Sequence, residues 1–526
     1  KLRYQFSCFI TPLPLRYFSA AIAPIKPNEW DIAKPLEKCP RVNAYELIRG
    51  FLPGGKFYQK DTNEFVRNLL REKGDIVYIP SLLGRPNILL TQNPNDFEII
   101  FRNDGIWPKR TQFYVLNYYK NVFRKDFFGK LSGLMTSSNE HWYEFRNLVN
   151  PILVHPKNAK IYLPTISKVN EDFIARIKKI RDPTTLEVPA NFKEEIGNWT
   201  LESISVIALD RQLGFIAGNN PDGVLLVHSF KKFIQLTVDL EVKLSLWRYL
   251  PNRKFRLAMA LIDDVKSITE KYINEAVERF ENSTEIKSED EKSVLEKLIK
   301  INKKIATTMA MDMMIAGGET TASTFVGLLL CLAKNPTKQQ KLREEILAIL
   351  PLKDSALTVE NMRNLPYLRA CLKESLRLFP LLPGNKRTTI NDMVLSGYRV
   401  PKGTNCLMMN LNLLQDDQHY SDATKFIPER WLRQRSTCFG TSSVESVTDC
   451  PQAQKCEHPF VYLPFGYGPR SCVGRRMAEM EIEVGIVRII RNFMVEFNYS
   501  TENAFQAWTI NIPVIPLKFK FTDLTD

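Results

Sequence analysis

The stretch "FGYGPRSCVGRRMAEMEIE", residues 465–483, sets Cys472 in a loop bent by glycine and proline, between two groups of arginines. A helical pattern starts immediately after it. Gly466, Gly468 and Gly474 allow the backbone to turn and approach something flat, and a cysteine just before a helix amino terminus is placed to have its thiolate stabilised. Met477, Met480, Val484, Val487, Ile490 and Met494 fall on one apolar stripe, which predicts a core helix after the loop. Two features need a reason. A lone cysteine is most often a buried apolar side chain, with nucleophile, redox thiol and metal ligand as alternatives. Arg475 and Arg476 open a helix where its dipole disfavours cations.

The whole chain bounds the answer. Its 526 residues are 44% hydrophobic and 25% charged, a globular composition with room for a large core. The formal net charge of +14 favours acidic partners such as an acidic protein, anionic lipid or nucleic acid, without choosing between them. Nine cysteines, an odd number without zinc-type CxxC pairs, argue against a disulfide framework and for a reducing compartment. Cys438, Cys450 and Cys456 read as loop thiols. Residues 1–28 carry Lys1, Arg3, Arg16 and Lys26 and no acid, which is transit-peptide chemistry, with a disordered basic tail as the alternative. Arg16 stands three residues before Ser19 in "PLRYFSAA", similar to a mitochondrial processing site that would cut after Phe18. No apolar run approaches the roughly 20 residues that span a bilayer, so no transmembrane anchor is expected.

Proline punctuates residues 24–60, and the first convincing helix is expected at about 61–73. "GDIVYIPSLLGRPNILLTQ" alternates and predicts a strand pair turned at Gly84 to Pro86. Periodicity is helical from about 137 to 350, small β-hairpins are expected after 380, and a long irregular section runs from about 432 to 464.

Three further stretches stand out. In "MDMMIAGGETTASTFVGLLLCLAKNP", residues 311–336, Gly317 and Gly318 interrupt an apolar helix at a cost of about 1 kcal/mol each. Close packing against a neighbour is one reason to accept that cost, and approach to a ligand is another. In "YLRACLKESLRLFP", residues 367–380, Glu374 and Arg377 share a helical face and can pair, while Arg369 and Lys373 make a cationic stripe beside it. In "HWYEFR", residues 141–146, Trp142 and Arg146 stack four apart.

The spacing of Phe465, Gly468, Arg470, Cys472 and Gly474 resembles the haem-thiolate signature of the cytochrome P-450 superfamily, and the other stretches follow in that family's order. The resemblance covers residues 35–526. It implies a mainly α fold with small β-sheets, in which haem b (iron protoporphyrin IX) lies between a long central helix and the cysteine loop. It implies Cys472 as axial ligand of the iron, Phe465 beside the sulfur, and Arg470, Trp142, Arg146 and Arg387 at the propionates. Glu319 and Thr320 would relay protons at an oxygen-binding groove made by the glycines. Glu374, Arg377 and Arg430, the last in "FIPERW", would hold the haem-side core together.

Arg369, Lys373, Arg475 and Arg476 resemble the basic face on which the family's mitochondrial branch receives an acidic, adrenodoxin-like ferredoxin, itself served by an NADPH reductase. The implied division is a transit peptide and lead-in segment over 1–34 and a single monooxygenase domain over 35–526, placed on the matrix side of the inner mitochondrial membrane and binding no nucleic acid. "LEVKLSLWRYLPNRKFRL", residues 240–257, mixes apolar and basic residues as an interfacial helix does, with ordinary core packing as the alternative. Stretches such as "FLPGGKF" and "RNDGIWPKR" look similar to an insect mitochondrial branch, family twelve, linked to oxidation of foreign compounds. One departure is "EKCPRV" at 37–42, where many relatives have a Pro-Gly-Pro hinge. Alternatives within reach are an ecdysteroid or steroid hydroxylase of the same fold, and a haem-thiolate isomerase that needs no reductase.

Overall fold

A computed structural model describes residues 29–111, 113–243, 245–432 and 458–525. The charged and proline-rich stretch 1–28 and the three loop cysteines Cys438, Cys450 and Cys456 lie outside them. Five helices frame the site: α1 (Asn139–Leu153), α2 (Phe192–Leu209), α3 (Lys303–Ala333), α4 (Pro366–Leu378) and α5 (Arg475–Asn492). Three of them open on a recognisable start signal. Asn302 caps α3 by accepting the Lys304 N–H, Pro366 occupies the first turn of α4, and Gly474 precedes α5.

Helix α3 is apolar around nearly its whole circumference, which in a globular chain marks a central helix buried on all sides. It is also the one described helix long and apolar enough to cross a membrane, contrary to the expectation that no stretch qualifies. Its burial inside the protein accounts for that composition. Helices α2, α3 and α5 converge at Gly485, where a β-carbon would stand 2.8 Å from Trp199 and 2.9 Å from Phe325. Trp199 in turn stacks on Phe173, and these rings sit at the centre of the largest apolar core.

The main sheet joins β1 (Ile76–Ile79), β2 (Ile88–Thr91), β3 (Gly384–Thr388) and β4 (Asn405–Met409) in the order β1-β2-β4-β3. The β1–β2 pair is antiparallel and turns at Gly84, whose φ of 73° is the left-handed conformation glycine tolerates. A parallel β2–β4 pairing then joins segments more than three hundred residues apart in sequence, Leu89 facing Cys406 and Thr91 facing Met408. The first long helix runs over Thr62–Lys73, as its pattern indicates.

Packing begins earlier than residue 35. Glu29–Ile32 is helical, Lys34 pairs in parallel with Tyr398, and the Arg399 Nε–H donates to the Trp30 carbonyl at 2.7 Å. Residues 29–34 therefore belong to the folded body, because a strand edge at Tyr398–Val400 was free to recruit them. The stretch 240–257 is not one interfacial helix. It divides into a helical turn at Val238–Val242, a loop, and the start of helix Arg253–Glu281. Trp247 is buried, stacked on Phe255 with its indole N–H on the Leu240 carbonyl, while Leu246, Tyr249 and Leu250 are exposed. Met494 also leaves its predicted stripe, lying on the strand Phe493–Glu496 that follows α5.

Candidate active site

The cysteine loop is a compact turn whose shape comes from two glycines. Gly466 and Gly468 take φ of 73° and 72°, whereas Gly474 at −85° uses an ordinary conformation and has open space where a β-carbon would go. The Cys472 N–H donates to the Phe465 carbonyl at 2.9 Å, closing the loop and setting the thiol beside that ring. Cys472 keeps accessible surface, unlike Cys39, Cys331, Cys371 and Cys406. Enough protein surrounds it nonetheless that burial is the largest influence on its thiol and raises its pKa, opposed by the Gly474 and Arg475 backbone N–H groups and the Arg146 charge. A side chain that is enclosed yet accessible lines an internal hollow. The helix terminus thus pulls toward thiolate, as the sequence suggested, but does not win alone; a coordinated cation would complete the deprotonation.

Around this thiol gather four cations. Arg146 stacks against Trp142 and donates to the Ser471 carbonyl at 3.1 Å. Arg470 lies 4.3 Å from the Trp142 ring centre and donates to the carbonyls of Ser137 and Pro108. Arg387, on β3, pairs with Asp104 at 2.5 Å and donates to the Tyr467 carbonyl. Arg110 completes the group. Its pKa falls to about 10 through burial first, and then through the Arg387 and Arg146 charges. Arg470 falls to about 8 for the same two reasons, with Arg110 and Arg387 as the repelling neighbours. Burial likewise lowers Arg146 to about 10. Among the described residues one carboxylate, Asp104, faces this cluster, and Arg470 Nη1 and Arg146 Nε are buried without a partner. Desolvated, mutually repelling guanidiniums with orphaned N–H groups call for an anion between them.

Below the loop, Glu374 is fully buried and accepts from five donors. Arg377 reaches it at 2.8 and 3.0 Å, Arg430 at 3.0 Å, the Trp431 indole at 2.8 Å and the Ile427 N–H at 3.0 Å. Arg377 spends its remaining N–H groups on the carbonyls of Leu414, Ala423 and Lys425. Three segments far apart in sequence are knotted to one ion pair.

The chain matches the cytochrome P-450 family over residues 50–522. It is similar to the cytochrome P-450 CYP12A2 of Musca domestica, 52% identical over 94% of this chain and 93% of the relative. It is 48% identical to a probable mitochondrial cytochrome P-450, 12a5, of Drosophila melanogaster, over 94% of this chain and 92% of that one. A third relative, the probable mitochondrial 12c1 of the same fly, is 42% identical over 94% of each.

The chain is a cytochrome P-450. It is a haem-dependent monooxygenase with the mainly α fold of that family. The residues present suit the cofactor: an enclosed, accessible thiol faces the hollow, and the orphaned guanidinium N–H groups of Arg146 and Arg470 match the two propionate carboxylates that haem carries.

In this cytochrome P-450 the structure brings Cys472, Phe465, Arg470, Trp142, Arg146 and Arg387 into one neighbourhood. Sequence reasoning missed Arg110 and Asp104, both in the "RNDGIWPKR" stretch that had been singled out for another reason. It also missed Trp431 on Glu374, although that residue directly follows Arg430.

The central glycines pack closely against a neighbouring helix. Side chains on α2 close over both: a β-carbon on Gly317 would stand 2.9 Å from Ile204, and one on Gly318 2.8 Å from Leu201. The Thr200 hydroxyl, also on α2, donates to the Gly318 carbonyl at 3.0 Å. Ala316, one residue before the glycine pair, is the exposed position in this buried stretch, and Thr320 lies one turn on with its hydroxyl on the Ala316 carbonyl at 2.6 Å. Glu319 faces elsewhere, paired with Lys193 at 2.7 Å. Replacing Gly318 with valine is expected to cost about 1–3 kcal/mol by overpacking against Leu201. Urea denaturation checks this, and a gain in stability from the better helix former would rule the contact out.

The basic residues of α4 and α5 stand side by side. Arg369 reaches across to Glu483 on α5 at 3.2 Å and donates to the Arg363 carbonyl at 2.9 Å. Arg475 pairs with Glu479 at 2.9 Å, and its guanidinium covers the Phe465 ring at 4.9 Å. Arg476 and Lys373 are exposed, and no ion pair holds either among the described residues.

Proposed function

We propose that this cytochrome P-450 is a mitochondrial monooxygenase that inserts one oxygen atom from dioxygen into lipophilic foreign compounds, with electrons supplied singly by an acidic ferredoxin and its NADPH reductase. The observation that carries it is the cysteine loop with its buried arginines on one side and a basic surface on the other. Cys472 is assigned as the ligand of iron, with Phe465 against the sulfur. Arg110, Arg146, Arg387 and Arg470, with Trp142, hold the propionates and keep the macrocycle from sliding. Haem held in this way activates dioxygen, and thiolate donation favours O–O cleavage.

This chain's own part is positioning and proton supply. Thr320 presents a hydroxyl beside the accessible Ala316 position, bonded to its own helix, so it can pass a proton inward by breaking one hydrogen bond. Glu319 sits one residue before it and is paired with Lys193, a side chain that must swing away if the carboxylate is to serve as the relay's outer end. Glu374, Arg377 and Arg430 act by support alone.

The relatives named mitochondrial, the acid-free basic stretch 1–28 and the paired basic patches on α4 and α5 support a mitochondrial, ferredoxin-served enzyme, with residues 1–28 as its transit segment. Exposed Leu246, Tyr249 and Leu250 support peripheral contact with the inner membrane from the matrix side. Reconstitution with ferredoxin, its reductase and NADPH, screened against lipophilic xenobiotics and ecdysteroid precursors, tests the reading. Turnover confined to ecdysteroids would replace the substrate assignment, and turnover without ferredoxin would replace the electron donor.

The docking claim has its own check. Arg476→Gln and Lys373→Gln are each expected to raise the ferredoxin KM about tenfold at low ionic strength, with haem content unchanged. Arg475→Gln should do less, because Arg475 already answers Glu479. Unaltered KM and salt dependence in all three variants would remove this surface from electron transfer.

A further inference from the structure

A second group of cations lies away from the propionate cluster. The hairpin tip after β1, strand β3, the short helix Tyr114–Tyr118 and the loop after Val238–Val242 meet around the Tyr114 ring. The Arg248 guanidinium stands 4.6 Å from that ring centre and the Lys386 ammonium 5.7 Å from it. Arg85 adjoins them, since its neighbour Gly84 would place a β-carbon 3.0 Å from the Arg248 side chain. Lys386 and Arg387 are successive on β3, so they point to opposite faces of the sheet, and this group is separate from the propionate arginines.

Arg85 Nη2 donates to the Lys243 carbonyl, but four other polar atoms here have no partner among the described residues. Both terminal nitrogens of Arg248, Arg85 Nε and the Tyr114 hydroxyl are buried and unpaired. The one nearby carboxylate, Glu241, accepts the Val115 N–H at 2.7 Å and closes no ion pair with the three cations among the described residues. Burial lowers Lys386 to about 8 and holds Arg85 and Arg248 below the ordinary arginine range, only partly offset by the Glu241 charge, while Arg248 repels the other two. Immediately beside them Leu246, Tyr249 and Leu250 are exposed, an apolar edge next to the cationic cluster.

We propose that Arg248, Lys386 and Arg85, with the Tyr114 hydroxyl, form a receptor for the carboxylate of a lipophilic acid whose apolar chain lies along Leu246 and Tyr249. A carboxylate fits the observations because two adjacent N–H groups of one guanidinium are free for a bidentate bond, and a second cation and a hydroxyl flank them. A neutral ligand would leave those donors desolvated and unpaired. The inference rests on the lipophilic substrate proposed above and narrows it to amphiphiles with an anionic end.

The experiment is calorimetric titration of the haem-loaded full chain with dodecanoate and with dodecan-1-ol, which differ only in the head group, beside co-sedimentation with vesicles of neutral and of anionic phospholipid. The acid is expected to bind at least about tenfold more tightly than the alcohol, and Arg248→Gln or Lys386→Met to abolish that preference while leaving the alcohol unchanged. Glu241→Gln, whose amide oxygen can still accept the Val115 N–H, should tighten the acid and so distinguishes loss of repulsion from damage to the fold. Equal binding of acid and alcohol would overturn the receptor alone, and binding of neither would overturn it together with the lipophilic substrate. A preference that survives in both variants, with loss of binding to anionic vesicles instead, would assign the cluster to lipid head groups and overturn the proposal.

Discussion

Cys472→Ala is expected to abolish the carbon monoxide band characteristic of reduced thiolate haem and to lower monooxygenation at least about a thousandfold, equivalent to about 4 kcal/mol of barrier. The size of the effect follows from the site. Among the described cysteines, Cys39, Cys331, Cys371 and Cys406 are buried elsewhere, and burial pushes the Cys39 and Cys406 thiols up to about 11 and about 12. None can substitute as a ligand. The arginine cluster and Trp142 remain in the variant, so haem is expected to be retained in part with an altered spectrum. A variant that keeps the thiolate band would mean that another sulfur holds the iron.

Glu374→Gln is expected to lower global stability by about 3–5 kcal/mol, a large share of the roughly 5–15 kcal/mol that holds an ordinary domain together. The change is one atom, but it removes the one countercharge of Arg377 among the described residues, and Arg377 is wholly buried and cannot reach water. It also weakens the grip on Arg430, Trp431 and Ile427, so the segment leading toward the cysteine loop loses its anchor. Trp431→Phe removes one of those hydrogen bonds and should cost about 1 kcal/mol. Urea midpoints and the fraction of protein recovered with haem check both. If Glu374→Gln shifted stability no more than Trp431→Phe, the carboxylate would not be the hub described.

Contacts within one helix or one loop were legible in the sequence. Trp142 with Arg146, Glu374 with Arg377, and the turn around Cys472 depend on spacings of a few residues, and helix and loop geometry turns such spacings directly into proximity. Contacts across the fold were not. Asp104 meets Arg387 only because helix Pro94–Arg102 ends beside β3, and Lys120 finds Asp312 on α3 from nearly two hundred residues away, both wholly enclosed. A lone lysine and a lone aspartate carry no local signal of such a pairing. The glycines of α3 show the other limit. Their cost to the helix was readable, and so were two reasons for it, but which reason applied depended on where Ile204 and Leu201 of α2 came to rest.

The neighbouring pairs Arg369–Glu483 and Arg475–Glu479 bear on how long a partner stays. Side chains already held in place lose little freedom when something lands on them, which spares roughly 0.5–1.5 kcal/mol apiece. Cations already answered by carboxylates also attract a newcomer less strongly once it has arrived. If this is the docking surface proposed above, it would favour quick landing and quick departure, with Lys373 and Arg476 left to guide the approach. For an enzyme that must meet its proposed donor twice in every cycle, the lifetime of each encounter is as much a part of the turnover as the chemistry between them.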